Sequence, residues 1–115
     1  MCGIAGYISD KLSQETGYKM AMAMKHRGPS HQGAVVFQQQ HCVLAHARLS
    51  IIDLSEGANQ PMQFSNLAIV FNGEVYNFRE IRKELVALGH RFELDSDTEV
   101  ILHAYSEWGV KCVDR

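Results

Sequence analysis

Strand-forming and helix-forming segments are segregated along this chain, and their order limits the folds that it can adopt. Short β-rich segments occur at residues 3–8, 33–37 and 41–48, with a helical pattern between the first two at residues 14–25. A fourth β-rich run covers residues 67–71. Strands that follow one another without intervening helices favour antiparallel pairing over parallel βαβ units. We therefore predict an α+β fold whose sheets are mostly antiparallel.

The second half of the chain carries two signatures of a helix N-terminus. Asn77 is followed three residues later by Glu80, and Ser96 is followed by Glu99, which is the spacing of a capping box. Gly89 is a natural stop for the first of these helices. The predicted apolar faces are Phe78, Ile81, Leu85 and Leu88 on the first helix, and Ile101, Ala104, Tyr105 and Trp108 on the second.

The composition argues against several classes of partner. With 11 Lys and Arg residues against 13 Asp and Glu, the formal net charge is −2, and no basic run supplies the footprint of a nucleic-acid-binding protein. The apolar runs are shorter than the roughly 20 residues that span a bilayer. The chain start lacks the features of a secretory signal, and three widely spaced cysteines are typical of a reducing compartment. We expect a cytoplasmic protein that binds neither nucleic acid nor membrane.

Histidines are frequent between residues 26 and 46, which raises the alternative of a zinc site. His41, Cys42 and His46 could ligate zinc together with His26 or His31. Strand alternation, however, places His41 on the face opposite Cys42 and His46, and the sequence contains neither a CxxC nor an HxxxH spacing. We therefore predict surface and loop histidines, and no metal site.

Cys2 stands directly behind the initiator methionine. A free cysteine is usually a small buried hydrophobic residue, but this position suggests a second interpretation. Methionine aminopeptidases remove Met1 when the next residue is small, which would leave a thiol and an α-amine on one residue. An α-amine has a pKa of about 8, against about 10 for a lysine, so a useful fraction is a neutral base at pH 7. Such a nucleophile carries its own general base.

Six short motifs occur along the chain in a fixed order. They are Met-Cys-Gly-Ile-Ala-Gly-Tyr at the start, His26-Arg27-Gly28-Pro29, Ala47-Arg48-Leu49-Ser50-Ile51-Ile52-Asp53, Gln60-Pro61, Phe71-Asn72-Gly73-Glu74-Val75-Tyr76-Asn77 and Ser96-Asp97-Thr98-Glu99. Together they resemble the glutaminase domain of class II glutamine amidotransferases, a group of N-terminal nucleophile (Ntn) hydrolases. The chain is most similar to the glutamine-hydrolysing asparagine synthetases, because related classes carry a Trp-bearing segment where this chain has residues 48–52.

This resemblance implies a four-layered αββα sandwich with antiparallel sheets. In the family the sequence continues into further strands beyond the point that resembles residues 111–115. We therefore expect residues 1–115 to be the N-terminal part of a glutaminase domain, apparently truncated at its C-terminus and without its synthetase domain. One sheet edge would then be bare.

The resemblance also implies which residues carry the chemistry. Cys2 would attack the side-chain amide of glutamine, and the side chain of Asn72 and the backbone N–H of Gly73 would hold the oxyanion. From the residues alone, Asn72-Gly73 is the signature of a tight hairpin turn after residues 67–71, which needs no chemistry. Both interpretations stay open, because a tight turn can aim its N–H groups into a pocket.

Substrate binding is implied for a further set of residues. Arg48 would grip the α-carboxylate of glutamine, since a guanidinium forms two parallel hydrogen bonds with a carboxylate. Glu74 and Asp97 would receive the α-ammonium group. A solvent-facing Arg on a strand and a helix-starting Asp are the plainer alternatives. Backbone groups of the segment beside Arg48 would line the same pocket; its residues are Leu49, Ser50, Ile51 and Ile52.

The implied reaction is hydrolysis of L-glutamine to glutamate and ammonia through a Cys2 thioester. In the family the ammonia passes to a synthetase domain, which uses ATP and Mg²⁺ to amidate aspartate. This chain shows no Gly-rich phosphate loop, so we expect it to need no cofactor of its own. An amidotransferase with another acceptor and a catalytically silent domain stay as alternatives, and a homodimer stays open. Ser30 stands where the family usually has Asp, which could loosen the hydrogen bonding of its loop.

Overall fold

The computed structural model describes residues 1–51 and 54–115. Its strands and helices, in chain order, are β1 (Gly3–Ile8), α1 (Gln14–Ala23), β2 (His31–Phe37), β3 (Cys42–Arg48), β4 (Met62–Phe64), β5 (Leu67–Ile69), α2 (Phe78–Ala87) and α3 (Asp97–Trp108). Short 3₁₀ turns occur at Gln38–Gln40, Glu56–Ala58 and Gly109–Asp114. Antiparallel strands combined with helices confirm the predicted α+β class.

β3 is the central strand of the larger sheet and fixes where the chain start lies. The strand order is β1-β3-β2, and both pairings are antiparallel. Gly3 at the start of β1 pairs with Ala47 near the end of β3. Cys2 therefore lies beside the C-terminal end of β3, which is the first step in assembling the site described below.

One face of this sheet is covered by α1. Small side chains make the close packing possible: Ala21 and Ala45 are fully buried, and Ala34 is nearly so. The helix begins at Gln14 behind Ser13, whose hydroxyl accepts a hydrogen bond from the Thr16 N–H. It follows the prediction closely and ends at Ala23. The opposite face of β3 carries the polar side chains of His46 and Arg48 next to Leu44.

A second core lies between α2 and α3. Ile81, Leu85, Val100 and Ala104 form its buried centre. The predicted stop at Gly89 is confirmed, because Gly89 adopts a φ of +99°. Its N–H donates to the Val86 carbonyl, and the next N–H donates to the Leu85 carbonyl. These two bonds form a Schellman motif, which satisfies carbonyls at the helix end.

The helix starts and the buried faces differ from the prediction in part. Asn77 precedes α2, but its side-chain amide donates to the Arg115 carbonyl, so the predicted capping box does not form. Ser96 does cap α3 by accepting from the Thr98 N–H, whereas the Glu99 carboxylate accepts from the N–H groups of residues 93 and 94. Glu99 therefore binds the loop that precedes α3 and does not form the predicted capping box with Ser96.

Two residues of the predicted apolar faces lie on the surface. Leu88 is 56% exposed because α2 has already ended there, and Tyr105 is 44% exposed. α3 packs against α2 and also against the β4–β5 hairpin. Its buried face is therefore turned toward Val100 and His103.

The predicted hairpin turn at Asn72-Gly73 is wrong. Phe64 pairs with Leu67, so the two-residue turn that joins β4 and β5 is Ser65-Asn66, where Ser65 adopts a φ of +54°. β5 ends at Ile69, and the residues beyond it lead directly toward α2. An Asn-Gly hairpin turn joins two strands that pair with each other, and none of the described residues between β5 and α2 forms a second strand.

None of the described helices is long and apolar enough to cross a bilayer.

Candidate active site

A cavity of about 440 Å³ opens where the end of β3, the loop after β5 and the start of α3 meet. Cavities of this size typically bind small molecules. Eight of the predicted site residues line it: Cys2, Arg48, Leu49, Ile51, Asn72, Gly73, Glu74 and Asp97. These residues come from four separate stretches of sequence, and the fold brings them to one place.

Two predicted site residues stand apart from this set. Ser50 does not line the cavity, and its N–H donates to the Ser30 hydroxyl at 3.1 Å. Ile52 lies outside the described residues. Ser30 also donates its own N–H to the Arg48 carbonyl at 2.9 Å. The hydroxyl at position 30 therefore ties its loop to the backbone that follows β3.

The Cys2 thiol is held at the cavity by backbone contacts. Its Sγ accepts from the Leu49 N–H at 3.3 Å. The Arg27 Nε donates to the Cys2 carbonyl at 3.2 Å. Gly28 permits this arrangement, because a Cβ there would lie 2.2 Å from the carbonyl carbon and oxygen of Ala47. The loop after α1 thus approaches β3 so closely that a side chain at position 28 would clash with the strand.

Arg48 lies on the polar face of β3 and is 7% exposed. Its Nη1 donates to the Ser55 carbonyl and to Asn59 Oδ1, each at 2.8 Å. These bonds connect the backbone at residue 55 and the side chain at residue 59 to the strand. The guanidinium is thereby kept at the cavity in a fixed orientation, as recognition of a carboxylate requires.

Asn72, Gly73 and Glu74 form an irregular loop whose ends are held by side chains. Before the loop, the Phe71 N–H donates to Gln60 Oε1 at 2.6 Å, and the Phe71 carbonyl lies 3.2 Å from His46 Nε2. After the loop, the N–H of residue 75 donates to Asp97 Oδ2 at 3.0 Å. Backbone groups that no sheet or helix satisfies thus find partners in side chains.

Asp97 is the first residue of α3 and is only 7% exposed. Oδ2 accepts from the Val75 N–H, and Oδ1 lies 3.5 Å from the Thr98 hydroxyl, which donates to it. A carboxylate offers about four lone-pair sites, so these two bonds leave acceptor capacity toward the cavity.

His46 was predicted to be a surface or loop histidine, and that prediction is wrong. It is fully buried beneath the cavity, on the same strand face as Arg48. Burial lowers its pKa, the Phe71 carbonyl opposes that shift, and the positive charge of Arg48 lowers the pKa further. Since a carbonyl only accepts, Nε2 carries the proton. Nδ1 has no partner among the described residues, which also favours the neutral ring.

Gln60 is a second residue to which the sequence reasoning gave no role. It entered only as half of the Gln60-Pro61 motif, yet it is 8% exposed, lines the cavity and accepts from the Phe71 N–H. For His46 the sequence did contain a signal, because strand alternation places it on the same face as Arg48. For Gln60 the motif itself was the available signal.

Two of the candidate zinc ligands, His41 and His46, have different partners. His41 lies 3.6 Å from Asp10 at the surface, whereas His46 contacts Phe71. Within residues 1–51 and 54–115, His, Cys, Asp and Glu side chains form no group of three that could hold a metal ion.

Comparison with known proteins agrees with this geometry. Residues 1–115 match the sequence model of the glutamine amidotransferase domain. The chain therefore belongs to the glutamine amidotransferase domain family.

Glutamine-hydrolysing asparagine synthetases are among its relatives, as the motifs predicted. The chain is 43% identical to asparagine synthetase 3 of Bacillus subtilis over 100% of its own length and 20% of the relative. It is 36% identical to a putative asparagine synthetase 2 of Methanocaldococcus jannaschii, over 98% of the chain and 25% of the relative. With asparagine synthetase 1 of Arabidopsis thaliana the identity is 36%, over 99% and 20% respectively. The chain thus spans a fifth to a quarter of the length of these relatives.

Proposed function

We propose that this chain hydrolyses L-glutamine to glutamate and ammonia, with Cys2 as the nucleophile. The observation that carries the proposal is the convergence of Cys2, Arg48 and the Asn72-Gly73 loop on one cavity of about 440 Å³. A thiol, a guanidinium and backbone donors are the groups that attack on a substrate amide requires. Membership of the amidotransferase family supports the same reaction.

Recognition of the substrate follows from the charges around the cavity. Arg48 binds the α-carboxylate, and the carboxylates of Glu74 and Asp97 bind the α-ammonium group. One cation and two anions complement a zwitterion, and all three residues line the cavity. The fixed geometry of Arg48 suits a two-bond contact with the substrate carboxylate.

In the proposed mechanism, removal of Met1 places the α-amine on Cys2. The amine takes the thiol proton, directly or through a water, and Sγ attacks the side-chain carbonyl carbon of glutamine. The oxyanion of the tetrahedral intermediate accepts hydrogen bonds from Asn72 and from the Gly73 N–H. The C–N bond then breaks, and the nitrogen leaves as ammonia with the proton held by the amine. Water hydrolyses the thioester, which releases glutamate and restores the thiol.

The ammonia has a destination in the longer relatives, whose names describe asparagine synthesis. We propose that it passes to an ATP- and Mg²⁺-dependent synthetase domain that amidates aspartate. An amidotransferase with a different acceptor is the alternative for that step. We place the reaction in the cytoplasm, where a reducing environment keeps the thiol of Cys2 free.

The test is glutamine hydrolysis by purified protein. Mass spectrometry first establishes that Cys2 is the N-terminal residue, and ammonia and glutamate are then measured in equal amounts from added glutamine. Cys2→Ala should release neither product. A protein with Cys2 exposed that releases no more ammonia than Cys2→Ala would establish the catalytically silent alternative.

A further inference from the structure

A continuous chain of hydrogen bonds connects the two ends of the loop that carries Asn72 and Gly73. The Phe71 N–H donates to Gln60 Oε1 at 2.6 Å, and Gln60 Nε2 donates to the Thr98 hydroxyl at 3.5 Å. That hydroxyl donates to Asp97 Oδ1, and Asp97 Oδ2 accepts from the Val75 N–H. The two ends of the loop are therefore connected through three side chains.

His46 completes the hold on the first end of this loop. Its Nε2–H donates to the Phe71 carbonyl at 3.2 Å, while the N–H of the same residue donates to Gln60. Both polar groups of the Phe71 backbone are thus bound by side chains that are almost fully buried. Because Asn72 and Gly73 follow directly, the orientation of their donor groups depends on the orientation of Phe71.

We propose that Gln60 and His46 are positioning residues for glutamine hydrolysis, which fix the Phe71 backbone and thereby aim the oxyanion donors at the reacting carbonyl. This inference rests on the proposed function. Oxyanion donors act only when they are preorganised at the position of the developing charge. A displacement of about 1 Å from that position can cost about 100-fold in rate. Loss of either clamp should therefore lower kcat and leave substrate binding by Arg48 intact.

Gln60→Met tests the amide clamp with little change of shape. We expect kcat to fall about 10- to 100-fold, with the KM for glutamine within about threefold of wild type. Gln63→Met is the matched control, since Gln63 is exposed on β4, and it should leave both constants unchanged. A raised KM with unchanged kcat would mean that Gln60 contacts the substrate itself, and this result or unaltered kinetics would overturn the proposal.

The His46 clamp has a rescue experiment. His46→Phe keeps the ring and removes the donor to Phe71, so kcat should fall as in Gln60→Met. His46→Gln restores an amide donor and should recover most of the lost kcat. Equal loss in both variants would show that the buried ring matters only for packing, and would remove His46 from the proposal.

Amide hydrogen exchange separates this inference from the proposed function. In Gln60→Met the Phe71 N–H loses its acceptor and should exchange about tenfold faster than in wild type, whether or not glutamine is hydrolysed. Wild-type protein that hydrolyses no glutamine would overturn the proposed function and, with it, the role in hydrolysis. Active wild type with unchanged Phe71 exchange in Gln60→Met would overturn the clamp alone.

Discussion

Lowering the pH should destabilise this protein through its two buried histidines. His46 is fully buried and His103 is 2% exposed. Burial is the main cause that lowers the pKa of each ring below 6.5; Glu99 partly opposes the shift at His103, and His90 adds to it. A histidine with a lowered pKa stays neutral in the folded state while the unfolded chain binds a proton. Its stabilising contribution is therefore complete above pH 6.5 and is lost as the pH falls toward the folded-state value.

His103 shows why the folded state resists the proton. Its ring stacks on Phe64 with 3.9 Å between the ring centroids, and it packs against Phe92 with 4.3 Å between the centroids. Its Nδ1 lies 2.9 Å from His90 Nδ1, and His90 Nε2 lies 2.7 Å from Glu107. A positive charge on His103 would be enclosed by two apolar rings beside a second histidine, with Glu99 at 3.8 Å as the opposing charge.

The size of the effect follows from proton linkage. Each pH unit between the unfolded and folded pKa values costs about 1.4 kcal/mol for one group. Going from pH 7.5 to pH 5.5 therefore costs at most about 1.4 kcal/mol for each histidine, and about 2.8 kcal/mol for both. Urea unfolding at the two pH values measures this loss, and His103→Gln or His46→Gln should each reduce it by up to one histidine's share.

Ile81→Val provides the matched control for this experiment. It should lower the free energy of unfolding by about 0.5 to 1.5 kcal/mol by the same amount at both pH values, because no proton is involved. If His103→Gln lost as much stability between pH 7.5 and pH 5.5 as the wild type does, the linkage argument for that residue would be refuted.

Three further predictions concern the site itself. Arg48→Ala should raise the KM for glutamine about 10- to 100-fold with kcat little changed, since charge-assisted bonds contribute about 1.5–3 kcal/mol; an unchanged KM would remove Arg48 from substrate binding. Asn72→Ala should lower kcat by about 100-fold or more, and steady-state kinetics with unaltered kcat would contradict its role as an oxyanion donor. Gly28→Ala places a Cβ 2.2 Å from the Ala47 carbonyl and should lower the free energy of unfolding by about 3 kcal/mol; an unaltered urea midpoint would show that the loop can move aside.

Local patterns in the sequence predicted the elements whose formation depends on local interactions. The helical pattern over residues 14–25 becomes α1, the Gly89 stop follows α2 and the alternation of β3 separates its two faces, as the structure confirms. The predicted hairpin turn at Asn72-Gly73 was wrong because a dipeptide indicates only its own backbone preference. Whether a strand follows to pair across such a turn is decided by the chain beyond it.

The candidate site was predicted mainly through the ordered motifs, because its residues lie far apart in the sequence. Spacing alone does not show that Cys2 meets Leu49, a contact that depends on the pairing of Gly3 with Ala47. Spacing alone does not reveal the role of Gln60 for the same reason. Its partner is a backbone N–H eleven residues away, and any polar side chain on any loop could in principle make that bond.

β3 carries both the arginine proposed to bind the substrate and the histidine proposed to position the oxyanion loop. Alternation puts His46 and Arg48 on the same face, two residues apart, so a single strand orients both the Phe71 backbone and the guanidinium. The opposite face carries Val43, Ala45 and Ala47, which are fully buried and let α1 pack closely. A substitution that displaces β3 should therefore change KM and kcat together, whereas loss of Gln60 should change kcat alone. Measuring KM and kcat for each variant therefore shows whether a substitution acts by displacing β3 or by releasing the loop.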